Sequence, residues 1–189
     1  MSRRIRICIV VATFVFVAPL PSFAQDNDAT RLAAAAADVE SVDAIIAALY
    51  DVISGPAGEE RDWNRFRSLF LPTANLVPIF SNPEGRVDVL EMTPEDYIER
   101  SGVRLVEMGF FESEIARVEE RFGNLVHAFS SYEGFRGDDL ETPLVRGVNS
   151  IQVLFKDGRW WIANLAWQPE QAGAGILLPE KYLPPESKD

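Results

Sequence analysis

The chain has 189 residues, enough for one domain of ordinary size. It carries 18 Lys and Arg against 29 Asp and Glu, a formal net charge of −11 at pH 7. Such an acidic surface repels nucleic acid and anionic lipid, and therefore argues against both as partners. The acidity identifies no cationic ligand, because it equally serves the solubility of an exported protein.

The first segment, residues 1–24, is predicted to be a secretory signal peptide. Arginines precede an apolar run, residues 7–20, that is short for a membrane span, and Ser22 and Ala24 mark a cleavage site before Gln25. An uncleaved membrane anchor is the alternative. We expect an exported, periplasmic or secreted protein with a mature net charge of −14. The only cysteine, Cys8, falls in the leader, so no disulfide or thiolate site is expected in the mature chain.

Helical periodicity dominates the first half of the mature chain, and strand periodicity dominates the second. Helices are predicted over residues 32–53, from Asp62 to before Pro72, and over 93–108, with a brief strand over 76–80. Strands are predicted over residues 110–122, 125–135, 145–155 and 160–168. This order predicts one α+β domain, residues 25–170, followed by a Pro- and Gly-rich tail, residues 171–189.

The strongest local pattern is Asp157-Gly158 between two alternating apolar runs. Both residues tolerate the positive φ of a type I′ turn, so a β-hairpin is predicted. A two-residue turn then sets the register along the whole hairpin. The pairs that share one face are expected to be Phe155–Trp160, Val153–Ile162, Ile151–Asn164 and Asn149–Ala166.

Segments 61–70, 127–133, 147–152 and 157–162 resemble the nuclear transport factor 2-like superfamily, in a bacterial branch. Segment 61–70 is similar to its second helix, and the last two segments are similar to its closing hairpin. The superfamily includes ketosteroid isomerase, scytalone dehydratase and the SnoaL-like polyketide cyclases. The resemblance implies three N-terminal helices packed in the concave face of a strongly curved antiparallel sheet, a cone with a pocket. It implies no single function, because that fold hosts unrelated activities.

The resemblance also assigns the two faces of the hairpin. The superfamily's aromatic and aliphatic pair after the turn points into the cone, and Trp160 and Ile162 occupy its position. The opposite face then carries Trp161, Leu165 and Trp167, an apolar patch that is unfavourable to leave exposed. We expect a homodimer packed sheet to sheet through this patch. The alternative is that the C-terminal tail covers it.

His127, the only histidine, is the candidate catalytic residue. It shares a strand face with Phe129 and Ser131. If that face lined the cone, His127 could act as a general base. The alternative is a structural histidine hydrogen-bonded at the sheet surface, since no aspartate lies at an obvious partnering position.

Asn149, Asn164 and Gln168 are predicted on the inner face, where neutral amides could orient a small polar group. They could equally satisfy backbone groups near the strand ends. Tyr50 is a loose counterpart of the tyrosine that ketosteroid isomerase uses from its first helix, as the resemblance implies. Trp63 is the last of the residues expected to bind a ligand. It could equally be a core residue that anchors the second helix.

The catalytic pattern of the isomerase is otherwise not matched. Residues 76–80, which correspond to the end of its first strand, contain no aspartate base, and its protonated acid on a later strand has no assigned counterpart. Scytalone dehydratase and the cyclases use a histidine–aspartate pair, of which this chain offers only His127. The resemblance therefore implies the fold more firmly than the chemistry.

No metal or organic cofactor is predicted. One histidine and no mature cysteine suit neither zinc nor iron, and the acidic loop of Asp138, Asp139 and Glu141 lacks the spacing of a calcium loop.

Three functions remain open. The first is an exported small-molecule-binding or accessory domain whose apolar pocket takes a small apolar molecule with a polar group. The second is a cofactor-independent lyase, isomerase or cyclase with His127 as general base. The third is a structural homodimer whose cone is filled by Trp63, Phe111 and Trp160.

Overall fold

The computed structural model describes residues 33–185. The helices are α1 (Ala36–Val39), α2 (Val42–Ile53), α3 (Trp63–Leu69) and α4 (Pro94–Met108). The strands are β1 (Phe70–Ser81), β2 (Val87–Val89), β3 (Phe110–Phe122), β4 (Leu125–Arg136), β5 (Val145–Lys156) and β6 (Arg159–Pro169). The predicted signal peptide and its cleavage site lie outside the described residues.

The strands form one curled, unclosed sheet in the order β2-β1-β6-β5-β4-β3. The β1–β6 pair is parallel, and the other pairs are antiparallel. The helices pack on the concave face, as the contacts of α2 with β3 and β6 and of α4 with β1 show. The predicted α+β cone is confirmed. Within residues 33–185, no helix is both long and apolar enough to cross a membrane.

Side-chain caps explain where α2, α3 and α4 begin. Thr93 and Asp96 form a reciprocal capping box at the start of α4, with Thr93 N donating to Asp96 Oδ2 at 2.8 Å. The Asp62 carboxylate accepts from Arg65 N at 2.8 Å and starts α3. Ser41 Oγ accepts from Ala44 N at 3.0 Å, so a new helix starts there. The region predicted as one helix over 32–53 is therefore divided into α1 and α2.

The core lies between the helices and the concave face of the sheet. Apolar residues with 0–1 % of their surface exposed come from both layers: Ile45, Ile46, Phe66, Leu69, Leu76, Val126, Ile151, Val153 and Ile162. Burial of these side chains supplies the main driving force for folding. Trp160, 5 % exposed, also belongs to this core, so the inward assignment of Trp160 and Ile162 is correct.

The β5–β6 hairpin has the predicted turn. Asp157 and Gly158 both have positive φ, 54° and 79°, as a type I′ turn requires. Phe155 pairs with Trp160 and Val153 with Ile162, as predicted, but the register shifts after these pairs. The pairs beyond this β-bulge are Gln152–Asn164, Ile151–Leu165, Ser150–Ala166, Asn149–Trp167 and Val148–Gln168.

The bulge reverses the expected faces of the distal half of β6, because one extra residue moves every following side chain to the other side. Leu165 is 7 % exposed in the core, and Trp167 packs edge-on against Tyr97 of α4 with ring centroids 6.1 Å apart. The prediction that they form an outer patch with Trp161 is wrong. Trp161 alone remains on the outer face, with the guanidinium of Arg159 3.6 Å from its ring centroid.

The C-terminal tail covers part of this outer face. Gln171 Oε1 accepts from Ser81 N at 2.6 Å, and Ser131 Oγ donates to the carbonyl oxygen of Tyr182 at 2.5 Å. The rings of Phe129 and Tyr182 lie 5.4 Å apart. The outer face of β4 therefore packs against this chain's own tail.

Candidate functional site

A cavity of about 50 Å³ lies inside the cone. Its walls are largely apolar, from Leu49, Phe66, Leu76 and Leu165. Four residues bring polar groups to it: Tyr97, Glu112, Tyr132 and Asn149. An apolar enclosure with a few converging polar groups is the usual form of a small-molecule site.

Glu112, from β3, is the ionisable group at the centre of this arrangement. Its Oε1 accepts from Asn149 Nδ2 at 3.3 Å. The residue as a whole is half-buried, but protein surrounds its carboxyl, and burial raises the pKa of Glu112 to about 7. The hydrogen bond from Asn149 opposes this rise. Near neutral pH, Glu112 therefore exists in both the acid and the carboxylate form.

Tyr50, from α2, is 5 % exposed and stands beside Asn149. Asn149 Nδ2 donates to Tyr50 Oη at 3.0 Å, and Tyr50 Oη lies 2.6 Å from Ser130 Oγ. Ser130 Oγ donates its one proton to Glu114 Oε1 at 2.5 Å, so the tyrosine hydroxyl must be the donor to Ser130. Burial raises the pKa of Tyr50 well above its ordinary value, which keeps this hydroxyl protonated.

This directional chain ends in ion pairs at the edge of the sheet. A register shift between Glu114 and Ala116 in β3 brings Glu114 and Arg117 together. Arg117 binds both carboxylate oxygens of Glu114, at 2.9 and 2.7 Å, and also binds Asp43 Oδ1 at 2.7 Å. Arg117 thus fixes the position of the Glu114 side chain, which in turn orients the hydroxyls of Ser130 and Tyr50.

A cleft of about 440 Å³ opens beside the cavity, between α2 and β3. Tyr50 and Ser54 line it from α2, and Phe111, Glu112 and Glu114 line it from β3. Glu112 lines both the cleft and the inner cavity. The polar cluster therefore lies between a small inner space and a larger cleft.

Of the residues expected to bind a ligand, the structure brings two into this cluster, Tyr50 and Asn149. Asn164 and Gln168 lie on the outer face instead, because of the β6 bulge, and Gln168 Nε2 donates to Ser81 Oγ at 3.3 Å. Trp63 packs edge-on against Phe66 at 5.9 Å and is not among the residues that line the cavity.

His127 lies on the outer face of the sheet, opposite the cone. Its Nε2 is 2.9 Å from Ser150 Oγ, and its ring meets that of Phe129 edge-on at 5.4 Å. The strand face that His127 shares with Phe129 and Ser131 contacts the tail and not the cavity. The expectation that His127 could act as a base inside the cone is corrected. Alternate side chains of β4, among them Ala128 and Ser130, point inward, and His127 lies between them in sequence and points outward.

Among residues 33–185, no group of three or more His, Cys, Asp or Glu side chains is arranged to hold a metal ion. In the acidic loop, Asp139 Oδ1 accepts the backbone N–H groups of Glu141 and Thr142, each at 3.0 Å. These bonds lower the pKa of Asp139 and shape a turn.

The fold and the cavity define a nuclear transport factor 2-like cone, and solved structures share it. A candidate dehydratase of the nuclear transport factor 2-like family from Streptomyces avermitilis aligns over 71% of this chain and 96% of its own, with 13% identity and a TM-score of 0.52. A protein of unknown function with a cystatin-like fold from Nostoc punctiforme aligns over 68% of this chain and 87% of its own, with 11% identity and a TM-score of 0.51. No protein-family model and no curated protein matches the sequence. The likeness is therefore one of fold.

Proposed function

We propose that the protein is an exported binding protein for a small, mainly apolar molecule that carries an acceptor oxygen. The observation that carries this proposal is the carboxyl of Glu112, which lies in an apolar enclosure within hydrogen-bond reach of Asn149. A buried carboxyl that stays protonated near neutral pH is a hydrogen-bond donor, and an oxygen atom of a ligand is its natural partner. Export is supported by the predicted leader, residues 1–24.

The volumes of the inner cavity and of the cleft beside it indicate how such a ligand would lie. Small-molecule pockets have volumes of about 300–1,000 Å³, a range that includes the cleft of about 440 Å³ but not the inner cavity of about 50 Å³. The body of the ligand would occupy the cleft against Phe111, while its oxygen would approach Glu112. This arrangement differs from a cone filled by its own side chains, because the cleft remains open.

The test is the pH dependence of binding to the chain from Gln25 to Asp189. Cyclohexanone and acetophenone, whose oxygens accept hydrogen bonds but donate none, serve as neutral probes, with binding followed by chemical-shift titration. Affinity should fall about tenfold as the pH rises through 7, because Glu112 then loses the proton that it donates. Glu112→Gln retains an N–H donor and should bind without this pH dependence.

The matched control is Glu120→Gln, since Glu120 is exposed on the same strand. This variant should reproduce the parent curve. A parent affinity that does not change with pH, or an E112Q curve that matches the parent, would contradict the proposed role of Glu112. Failure of both probes to bind would contradict the ligand class.

Acid–base catalysis is a second candidate function, and the pKa of Glu112 favours it. A carboxyl with a pKa of about 7 is suited to accept and return a proton at physiological pH. Tyr50 Oη, itself held by Ser130, accepts from Asn149 and so fixes the amide that donates to this carboxyl. The reaction class is the isomerase or lyase type named above, with Glu112 in place of His127.

Proton exchange distinguishes catalysis from binding. In D₂O, the parent should accelerate exchange of the α-protons of cyclohexanone, as followed by NMR. Glutamine cannot accept the proton, so E112Q should lose the acceleration by about a hundredfold or more while still binding the ketone. Equal exchange rates for the parent and E112Q would exclude Glu112 as the base and leave the binding proposal intact.

A further inference from the structure

A second cavity, of about 240 Å³, lies on the opposite side of the sheet from the cone. Its floor is the outer face of the sheet, with Phe129, Val148 and Ala166. Its roof is the C-terminal tail, with Ile176, Leu178 and Tyr182. The cavity is larger than the space inside the cone, and it shares with that space only Trp167 at its border.

The tail is tied down on both sides of this hollow. Before it, the side chain of Gln171 accepts from Ser81 N at 2.6 Å, and the carboxylate of Glu170 accepts from Leu178 N at 2.7 Å. Beyond it, the carbonyl oxygen of Tyr182 accepts from Ser131 Oγ. The hollow is therefore part of the folded arrangement, with a roof anchored at each end.

Three of the polar side chains around the hollow have partners in the protein. Ser150 Oγ lies 2.9 Å from His127 Nε2, Gln168 Nε2 donates to Ser81 Oγ, and Glu170 accepts from the tail. The remaining lining is largely aliphatic and aromatic. The surroundings therefore favour an uncharged occupant over an ion.

The size and lining of the hollow also argue that it is occupied in function. The hollow is partly open to solvent, and its apolar walls are unfavourable to leave in contact with water. Water gains little there, because it needs polar partners that such walls do not offer. A strand or helix of another protein would not fit beneath a roof made by this chain's own tail.

We propose that the hollow between the outer face of the sheet and the C-terminal tail is a binding site for a small, uncharged apolar molecule of two or three rings. The site is separate from the polar cluster of the cone, since the whole sheet lies between them. His127, through its hydrogen bond to Ser150, helps to position one wall of this outer site.

The experiment is a fluorescence titration of the chain from Gln25 to Asp189 with N-phenyl-1-naphthylamine, an uncharged probe that brightens in apolar sites. Val148→Trp would fill the hollow from its floor and should weaken binding about tenfold or more. Gln152→Trp is the matched control, because Gln152 is exposed on the same face of the same strand. This variant should bind the probe within about twofold of the parent.

Ala166→Phe, on the neighbouring strand, is the second filling variant and should also weaken binding if Val148→Trp does not fold. Absence of probe binding by the parent would overturn the proposal. Unchanged binding by the filling variants would also overturn it, since the probe would then lie elsewhere, including in the cone.

Discussion

Replacing Glu112 with glutamine should remove about 3 kcal/mol of pH dependence from the free energy of unfolding between about pH 4.5 and pH 7. In the folded chain, burial keeps the Glu112 carboxyl protonated up to a pKa of about 7, whereas in the unfolded chain it ionises near its ordinary pKa of 4.5. The folded state thus binds the extra proton in this window. Stability is greatest below it and falls as the pH rises through it.

Urea denaturation at several pH values provides the measurement, with the parent and E112Q compared at each pH. Contributions from the other ionisable groups cancel in the difference between the two proteins. Relative to the parent, E112Q should become more stable as the pH rises, because glutamine has no charge to bury. The exposed-site variant E120Q should follow the parent throughout. A constant difference between the parent and E112Q would mean that Glu112 titrates normally.

The same carboxyl illustrates the limit of what could be predicted from the sequence. The boundaries of β3, at residues 110 and 122, were predicted correctly from its alternation. Residues 110–112 read Phe-Phe-Glu, so alternation allows either aromatic to face the core. Phe110 is 7 % exposed, and Glu112 shares its phase. The choice depends on tertiary packing, because a buried acid is the less favourable option by local rules.

The distal half of β6 shows the same limit for strand register. The Asp157-Gly158 turn correctly predicts the pairs nearest to it, since turn geometry sets register locally. A bulge beyond Ile162 then moves Leu165 and Trp167 inward, and it moves Asn164 outward. No Gly marks this bulge in the sequence, so the pattern around it continues to look regular.

The register shifts in β6 and β3 both place side chains of the candidate site. In β6 the bulge supplies Leu165 and Trp167 as walls of the cone cavity. In β3 the shift after Glu114 aligns Arg117 with the chain of hydrogen bonds from Asn149. Irregular register is frequent where a sheet must re-aim side chains. In β6, the residues that sequence periodicity misassigned are those beyond the bulge: Asn164, Leu165, Trp167 and Gln168.

Replacing Arg61 with methionine should lower the free energy of unfolding by about 3–5 kcal/mol. Arg61 is 6 % exposed, and its guanidinium donates to the carbonyl oxygens of Ile53 at 3.2 Å, Gly55 at 2.6 Å and Leu105 at 3.2 Å. Ile53 ends α2, and Leu105 lies in the last turn of α4. One cation thus meets the negative ends of two helix dipoles, which offsets the loss of hydration that lowers its pKa.

Methionine fills a similar volume but donates no hydrogen bond, so carbonyl groups at both helix ends would be left without their partner. Arg61→Lys should lose less, since it keeps the charge near the dipoles but cannot reach all three carbonyls in one planar fork. Urea denaturation at one pH measures these differences. Arg86→Met is the control, because Arg86 pairs with Asp88 at the surface, and the change should be under about 1 kcal/mol.

A loss for R61M no greater than that for R86M would mean that the two helix ends are held together by apolar packing alone. The expected order of stability is the parent, then R61K, then R61M. That order is specific to hydrogen bonding, because lysine and methionine have similar apolar stems and differ at the end of the side chain. Stability that followed the apolar character of the side chain, with R61M above R61K, would remove the carbonyl-binding role from Arg61.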